Sequence, residues 1–320
     1  MIESQWESLD TPPPSGASSI SRPNGRTEWL INSLVGLLAI AGLALGLYPS
    51  ASQWLSDARQ ADMVTGYYEE LQTAGDAANV AAFDNAVEYN KRMPEVLFTD
   101  PYTIEDARHQ KGGAWENYLE QLSVNDSEVM GRISIPRIGV SLPILHGTDD
   151  DTLMRGAGHL FGTSLPVGGV GTHSVITAHT ALPTSKMFND LIDLDIGDEF
   201  SVFAAGRSLT YRVAEVQAVL PEEVEALQAE QGRDLMTLVT CTPHGINSHR
   251  LLVQGERVDD AETALAGGDM ASDIPHPGFP WWSVWIGLGV IAVGAGVVAV
   301  SKYRVASSSL AYGSAGGRSS

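Results

Sequence analysis

A chain of 320 residues is long enough for one or two domains with a full-sized core. Its net charge of −20, from 39 Asp and Glu against 19 Lys and Arg, leaves no dense basic patch to neutralise phosphates, which excludes a nucleic-acid binder. The single cysteine excludes an internal disulfide framework and a cysteine-rich metal site, so stability outside a cell would have to come from packing alone.

Residues 1–28 are rich in Ser, Pro and Thr, include Pro12-Pro13-Pro14 and show no apolar periodicity; they read as a disordered tail. Leu30 to Tyr48 then forms an apolar run of roughly 19 residues, with Asn32 and Ser33 as its polar members, long enough to cross about 30 Å of hydrocarbon as a helix. A transmembrane helix is expected over 29–48. The alternative is a cleaved signal peptide, for which Pro49-Ser50-Ala51-Ser52 supplies small residues; the long stretch ahead of the run favours an uncleaved anchor.

Residues 49–127 read as a helical region. Trp54, Ala58, Ala61 and Val64 recur three to four apart, as do Phe83, Val87 and Asn90, which predicts two helices joined near Gly75-Asp76, the second ending before Pro94. Phe98-Thr99-Asp100-Pro101-Tyr102 follows; taken alone, an Asp-Pro pair between aromatics marks a turn and a helix start. From Glu128 the pattern changes to short strands. They are expected at Val129–Ile135, Val140–His146, Ser174–Ala178, Glu199–Ala204, Ser208–Val219, Leu235–Cys241 and Leu251–Val258. Pro136 to Gly139 reads as a turn, Asp149–Arg155 as one or two helical turns, and Gly156–Gly171 as irregular. Short helices are expected over Lys186–Leu194 and Glu222–Gln231. Seven or so short strands with small helical insertions make residues 128–258 a mostly antiparallel, closed β-barrel.

Residues 259–280, rich in Ala, Gly, Asp and Pro, read as a linker. Trp281 to Val300 is a second apolar run, roughly 20 residues without a charge, giving a transmembrane helix over 281–301 and a tail over 302–320. Trp29, Tyr48, Trp281, Trp282 and Tyr303 mark the interfacial ends. Arg22 and Arg26 precede the first run, and Lys302 and Arg304 follow the second. The positive-inside rule therefore puts both termini in the cytoplasm and the segment between the runs outside a cell membrane crossed twice. That segment carries all but four of the 39 acidic residues.

The chemistry gathers at Thr237-Leu238-Val239-Thr240-Cys241. Cys241 ends an apolar, β-prone run, a Thr/Pro/Gly/Asn turn follows, and Arg250 opens the next run. A strand end fixes a thiol in position and a nearby cation favours the thiolate, which is what a cysteine nucleophile needs. The competing reading is a buried cysteine acting as a small hydrophobe. Of eight histidines, His179 ends the apolar strand Ser174–Ala178 just as Cys241 ends its own; His244 and His249 are nearer in sequence but sit in a turn. Arg250 is either a support for the thiolate or an oxyanion, or a solvated surface charge. With no metal cluster or phosphate-binding glycine loop apparent, no cofactor is expected.

Together these pieces resemble the sortases, and specifically the class C, pilus-assembling sortases of Gram-positive bacteria. Thr237 to Cys241 matches the family's TLxTC element. Arg250, in Asn247-Ser248-His249-Arg250-Leu251-Leu252-Val253, stands where the family has its catalytic arginine. His179, in Thr177-Ala178-His179, stands where it has its catalytic histidine, with Ala178 replacing the common glycine. Gly158 to Gly169 is similar to the loop ahead of the histidine strand, and the match covers about residues 95–258. The resemblance implies a sortase-type β-barrel, the second span, and an N-terminal lid carried by Asp100, Pro101 and Tyr102. Asp100 would approach Arg250 and Tyr102 would cover Cys241. It also implies a cysteine transpeptidase that cleaves an LPxTG-like sorting signal through a thioacyl-enzyme and passes the acyl group to an acceptor lysine of a second pilin.

Two other readings stay open. One is a housekeeping-type sortase that joins surface proteins to a cell-wall precursor; the second span and the lid motif speak against it. The other is a non-catalytic, membrane-tethered surface domain. A sorting substrate should carry LPxTG shortly before its terminal span. Gly267 to Pro280 has none, and Leu165-Pro166-Val167-Gly168-Gly169 lies too far inside the chain.

Overall fold

The structure, a computed structural model, describes residues 25–93, 113–125, 127–180, 182, 184–258, 263–264, 274 and 276–313. These fall into two units. One comprises residues 47–283; the other holds the apolar helix segments 25–46 and 284–313.

The apolar unit holds the first part of helix α1 (Gly25–Ala74) and nearly all of α5 (Trp281–Gly313), and both helices are long and apolar enough to cross a membrane. Small residues let their backbones approach. A Cβ at Gly36 would lie 2.9 Å from Val293 Cγ1, and Gly289 is in the same way closed off by Leu43.

Helix α1 does not stop where the first span was expected to end. It runs on through Pro49, which offers no backbone N–H, while Ser52 Oγ donates to Tyr48 O (2.8 Å) and Pro49 O (3.0 Å) in the same turn. Beyond it, Ala61, Val64, Tyr67, Tyr68 and Leu71 fall on one face and are buried with Val124, Val129, Leu145 and Ile274. Gly75, at φ +81°, ends α1 and turns the chain into α2 (Asp76–Arg92), as the spacing predicted. Helix α3 (Gly113–Leu119) precedes the strands.

The strands are β1 (Val129–Ile135), β2 (Val140–His146), β3 (Ala157–His159), β4 (Thr172–Thr177), β5 (Glu199–Ala204), β6 (Arg207–Val219), β7 (Asp234–Thr242), β8 (His249–Arg257) and β9 (Thr263–Ala264), with α4 (Asp150–Arg155) between β2 and β3. Their order is β5-β1-β2-β3-β4-β7-β8-β6-β9, and a β5–β6 ladder closes the first eight into a barrel. The fold is therefore the expected closed, mostly antiparallel barrel, with parallel pairs at β2–β3 and β4–β7. Its interior is filled by alternate residues such as Ile133, Ile144, Ile176, Val202, Leu238 and Val253.

Three local expectations need correction. The run read as irregular contains β3, whose three residues are too few to show alternation. Lys186–Leu194 is not a helix but a series of turns with one 3-10 turn at Leu191–Asp193: Met187 takes φ +40°, and Phe188 N donates to His179 O (3.1 Å) instead of a carbonyl four residues back. Glu222–Gln231 shortens to a 3-10 turn at Glu225–Leu227, because Gln228 is extended and its carbonyl is taken by His173. The expected linker also contributes to the fold, since β9 pairs with Arg207 and Ser208 and Ile274 is buried.

Candidate active site

Strands β4 and β7 run parallel in register from Thr172↔Asp234 to Thr177↔Val239. Side chains carry the pairing beyond the ladder. Thr177 Oγ1 donates to Val239 O (3.1 Å), Ala178 N donates to the same oxygen (3.2 Å), and Thr240 Oγ1 donates back to Ala178 O (2.8 Å). One step further along the two strands stand His179 and Cys241. On the other side of β7, antiparallel β8 sets Arg250 directly opposite Cys241. His179 just past β4, Cys241 on β7 and Arg250 on β8 thus stand at neighbouring positions along three adjacent strands, although His179 is far from the other two in sequence.

Alternation decides which face they occupy. Ile176, Leu238 and Val253 point into the barrel, whereas Val175, Val239 and Leu252 pack outside it with Leu160 and Leu227. Arg250 shares the face of Leu252, Cys241 that of Val239, and His179 continues that of Val175. The site lies on the outer wall, above an apolar patch covered by the β6–β7 connection.

Cys241 is partly exposed. Arg250 is 8% exposed, and its Nη1 donates to Asn247 O (3.1 Å) and His249 O (3.3 Å), which ties the guanidinium to the turn between β7 and β8. That turn begins with a cis Thr242–Pro243 bond and places Asn247 at φ +57°. Burial pushes the pKa of half-buried His179 below the ordinary imidazole value, and the negative charge of Asp150 opposes the shift. Of the other two histidines considered, His244 is exposed in the turn and His249 pairs with Thr242 rather than with Cys241. Asp100, Pro101 and Tyr102 lie outside the described residues, in the connection between α2 and α3.

Sequence reasoning missed the groups that brace this face. His173 is buried on the outer side of β4. Its Nδ1–H donates to Gln228 O (2.8 Å), so its Nε2 accepts from Thr237 Oγ1 (2.7 Å), and the imidazole pins the β6–β7 connection to β7. His159 is fully buried. Its Nε2–H donates to Ser164 O (2.8 Å), and Nδ1 accepts from Tyr118 Oη (2.9 Å). Burial lowers its pKa to about 4, so it is neutral at pH 7. No local pattern announces these roles, because each depends on a partner from another strand or loop.

Chemically, a partly exposed thiol lies between an imidazole able to carry a proton and a guanidinium able to stabilise negative charge. Comparison with known proteins agrees with that arrangement. Residues 133–258 match the sortase domain. The chain is 30% identical to Sortase A of Bacillus anthracis over 136 residues, which is 42% of this chain and 63% of that protein. It is 29% identical to Sortase A of Streptococcus agalactiae over 46% of this chain and 60% of that protein, so it matches less than two thirds of the length of either relative. Sortase C-1 from Actinomyces oris superposes with a TM-score of 0.53 at 48% identity, covering 56% of this chain and 98% of that one. Sortase C from Streptococcus pneumoniae gives 0.54 at 35% identity, covering 62% and 98%. The chain belongs to the sortase family. Its structural neighbours include class C sortases, and its two apolar helices suit a membrane-anchored protein.

Proposed function

We propose that the chain is a class C transpeptidase that cleaves an LPxTG-like sorting signal and joins pilin subunits through lysine isopeptide bonds. The observation that carries this reading is that Arg250 on β8 lies opposite Cys241 on β7, while His179 follows the end of β4, the strand paired with β7 on its other side. The sortase C structure from Streptococcus pneumoniae is described in terms of pilin substrate specificity, which supports a pilin as the substrate class.

In this reading the Cys241 thiolate attacks the carbonyl carbon of the Thr–Gly bond. Arg250 donates to the oxyanion as the tetrahedral centre forms. The centre collapses, the C–N bond breaks, and the His179 imidazolium gives its proton to the departing glycine amine, leaving a thioester on Cys241. An acceptor lysine of a second pilin then attacks the thioester carbon and loses a proton to neutral His179. The thiolate leaves, and an amide to the lysine Nζ remains. Asp100, Pro101 and Tyr102 form the lid: the Asp100 carboxylate holds Arg250 until substrate opens the site. Segments 29–48 and 281–301 span the cell membrane, with tails 1–28 and 302–320 in the cytoplasm and residues 49–280, including the catalytic barrel 128–258, outside.

The test is to incubate the full-length protein in detergent with candidate pilins and map linked peptides by mass spectrometry. Lysine–threonine crosslinks should form with the native chain, disappear with Cys241→Ala and fall by at least about a hundredfold with His179→Ala. Crosslinks that survive Cys241→Ala would sink the assignment.

A further inference from the structure

His179 is the last residue before a long excursion, Thr180 to Asp198, that leaves the end of β4 and returns at β5. A histidine at a strand end is held on its upstream side by the ladder. Its downstream side is held in part by whatever braces the excursion. That brace is internal in part. Phe188 N donates to His179 O (3.1 Å), Thr180 Oγ1 donates to Asn189 Oδ1 (3.4 Å), and Asn189 N donates to Lys186 O (3.0 Å). Lys186 Nζ donates to Ile138 O (2.6 Å) and pairs with Asp190 at 3.1 Å.

One clamp comes from outside the barrel. Gln60, on α1, is 4% exposed on a helix face otherwise buried through Ala61, Val64, Tyr67, Tyr68 and Leu71. Its Nε2 lies 3.3 Å from Ser185 Oγ and 3.4 Å from Met187 Sδ, more than 120 residues away in sequence, and 3.3 Å from Ser56 Oγ on its own helix. Ser185 and Met187 are themselves buried. Met187 takes φ +40°, a left-handed conformation that a long side chain adopts only when its surroundings impose it. The residue after it, Phe188, is the one that grips the His179 carbonyl. A buried amide with no catalytic chemistry of its own therefore sits two hydrogen-bond links from the backbone that carries the imidazole: Gln60 to Met187, and Phe188 N to the His179 carbonyl.

We propose that Gln60 is a positioning residue for His179, coupling helix α1 to the excursion that fixes the orientation of the imidazole beside Cys241. The proposal rests on the reading of Cys241 and His179 as a nucleophile and proton carrier. Misplacing such a group by a fraction of an ångström costs turnover rather than substrate binding.

The test uses the full-length chain in detergent with Gln60→Leu, which keeps the volume and removes the amide, and with Ser185→Ala, which removes one partner. Two readouts are followed: kcat and KM on a sorting-signal peptide, and the rate of Cys241 alkylation by iodoacetamide against pH, whose profile reports the coupled ionisation of thiol and imidazole. Gln60→Leu should lower kcat by about tenfold with KM within about twofold, and should displace the alkylation profile. Ser185→Ala should act in the same direction, and the double variant should be less than additive. Loss of thermal stability with kcat and the alkylation profile unchanged would make Gln60 merely structural and overturn the proposal. Where Gln60→Leu does not fold, Ser185→Ala alone decides between the same two outcomes. Should the native chain process no sorting-signal peptide, the transpeptidase reading falls, while the alkylation profile still decides the coupling of Gln60 to His179.

Discussion

At the scale of single residues, the candidate site was legible because its three members end or open apolar runs. Cys241 and His179 each close a β-prone stretch and Arg250 begins one, and a strand terminus is a position the sequence marks. The reading chose His179 over His244 and His249 from its strand-end position, but it held no information on how that strand end is aligned with the thiol. That depends on the parallel pairing of β4 with β7 between residues 62 apart, and on the reciprocal threonine contacts of Thr177 and Thr240 that extend it. Nor did any pattern point to Asp150, whose charge works against the burial of His179. The sign of its effect follows. The Asp150 carboxylate favours the imidazolium, and Asp150→Asn removes that support, so the His179 pKa falls further. If His179 acts as the proton donor, the alkaline limb of the kcat/KM profile should move to lower pH in Asp150→Asn, with activity at the acid end preserved. A limb that stays in place, measured on a sorting-signal peptide between pH 5 and 9, would detach Asp150 from the proton donor.

At the scale of elements, periodicity located helices α1 and α2 and the turn between them, yet it misplaced the local structure of two connections. Both misses share a cause. In Lys186–Leu194 and Glu222–Gln231 the residues have the composition of short helices, but Phe188 N and Gln228 O are taken by partners on or beside β4, and a few residues of helix propensity cannot outweigh such contacts. Helix α1 shows the opposite case, in which burial of one face sustains a long element. Tyr67 is its deepest polar attachment: its hydroxyl donates to Met130 O (3.3 Å) and accepts from Ala205 N (2.9 Å) in the β5–β6 hairpin. Ala205 and Gly206 both take positive φ there, the conformation of a tight hairpin turn, so the amide that Tyr67 receives has a fixed direction. Tyr67→Phe would leave the Ala205 N–H buried without its acceptor. It should destabilise the unit by about 1–3 kcal/mol in chemical denaturation while leaving the reactivity of Cys241 unchanged.

At the scale of the whole molecule, the sequence announced a closed barrel through the number and spacing of its strands. It could not show that closure comes from β5 pairing with both β1 and β6. That closure depends on buried polar groups as well as on the apolar core: His159 and His173 are buried, His146 is partly buried, and all three have lowered pKa values. His159 is the extreme case, at about 4 against an ordinary 6.5, because desolvation of its cation outweighs its hydrogen bond to Ser164. A group whose folded pKa is depressed binds its proton first in the unfolded chain. The stability present above pH 6.5 is therefore lost as pH falls from 6.5 towards 4, and His159 alone accounts for roughly 3 kcal/mol of that loss. His146 and His173 act in the same direction. Denaturation of the full-length protein in detergent at pH 7 and pH 4.5 should thus show a marked fall in stability. His159→Asn should lower stability at pH 7, since Tyr118 and Ser164 lose their partner, and should also narrow the gap between the two pH values. An unchanged gap would mean that other groups take up the protons bound on unfolding, and that the buried imidazole beside the β3–β4 loop is not what sets the acid limit of the fold.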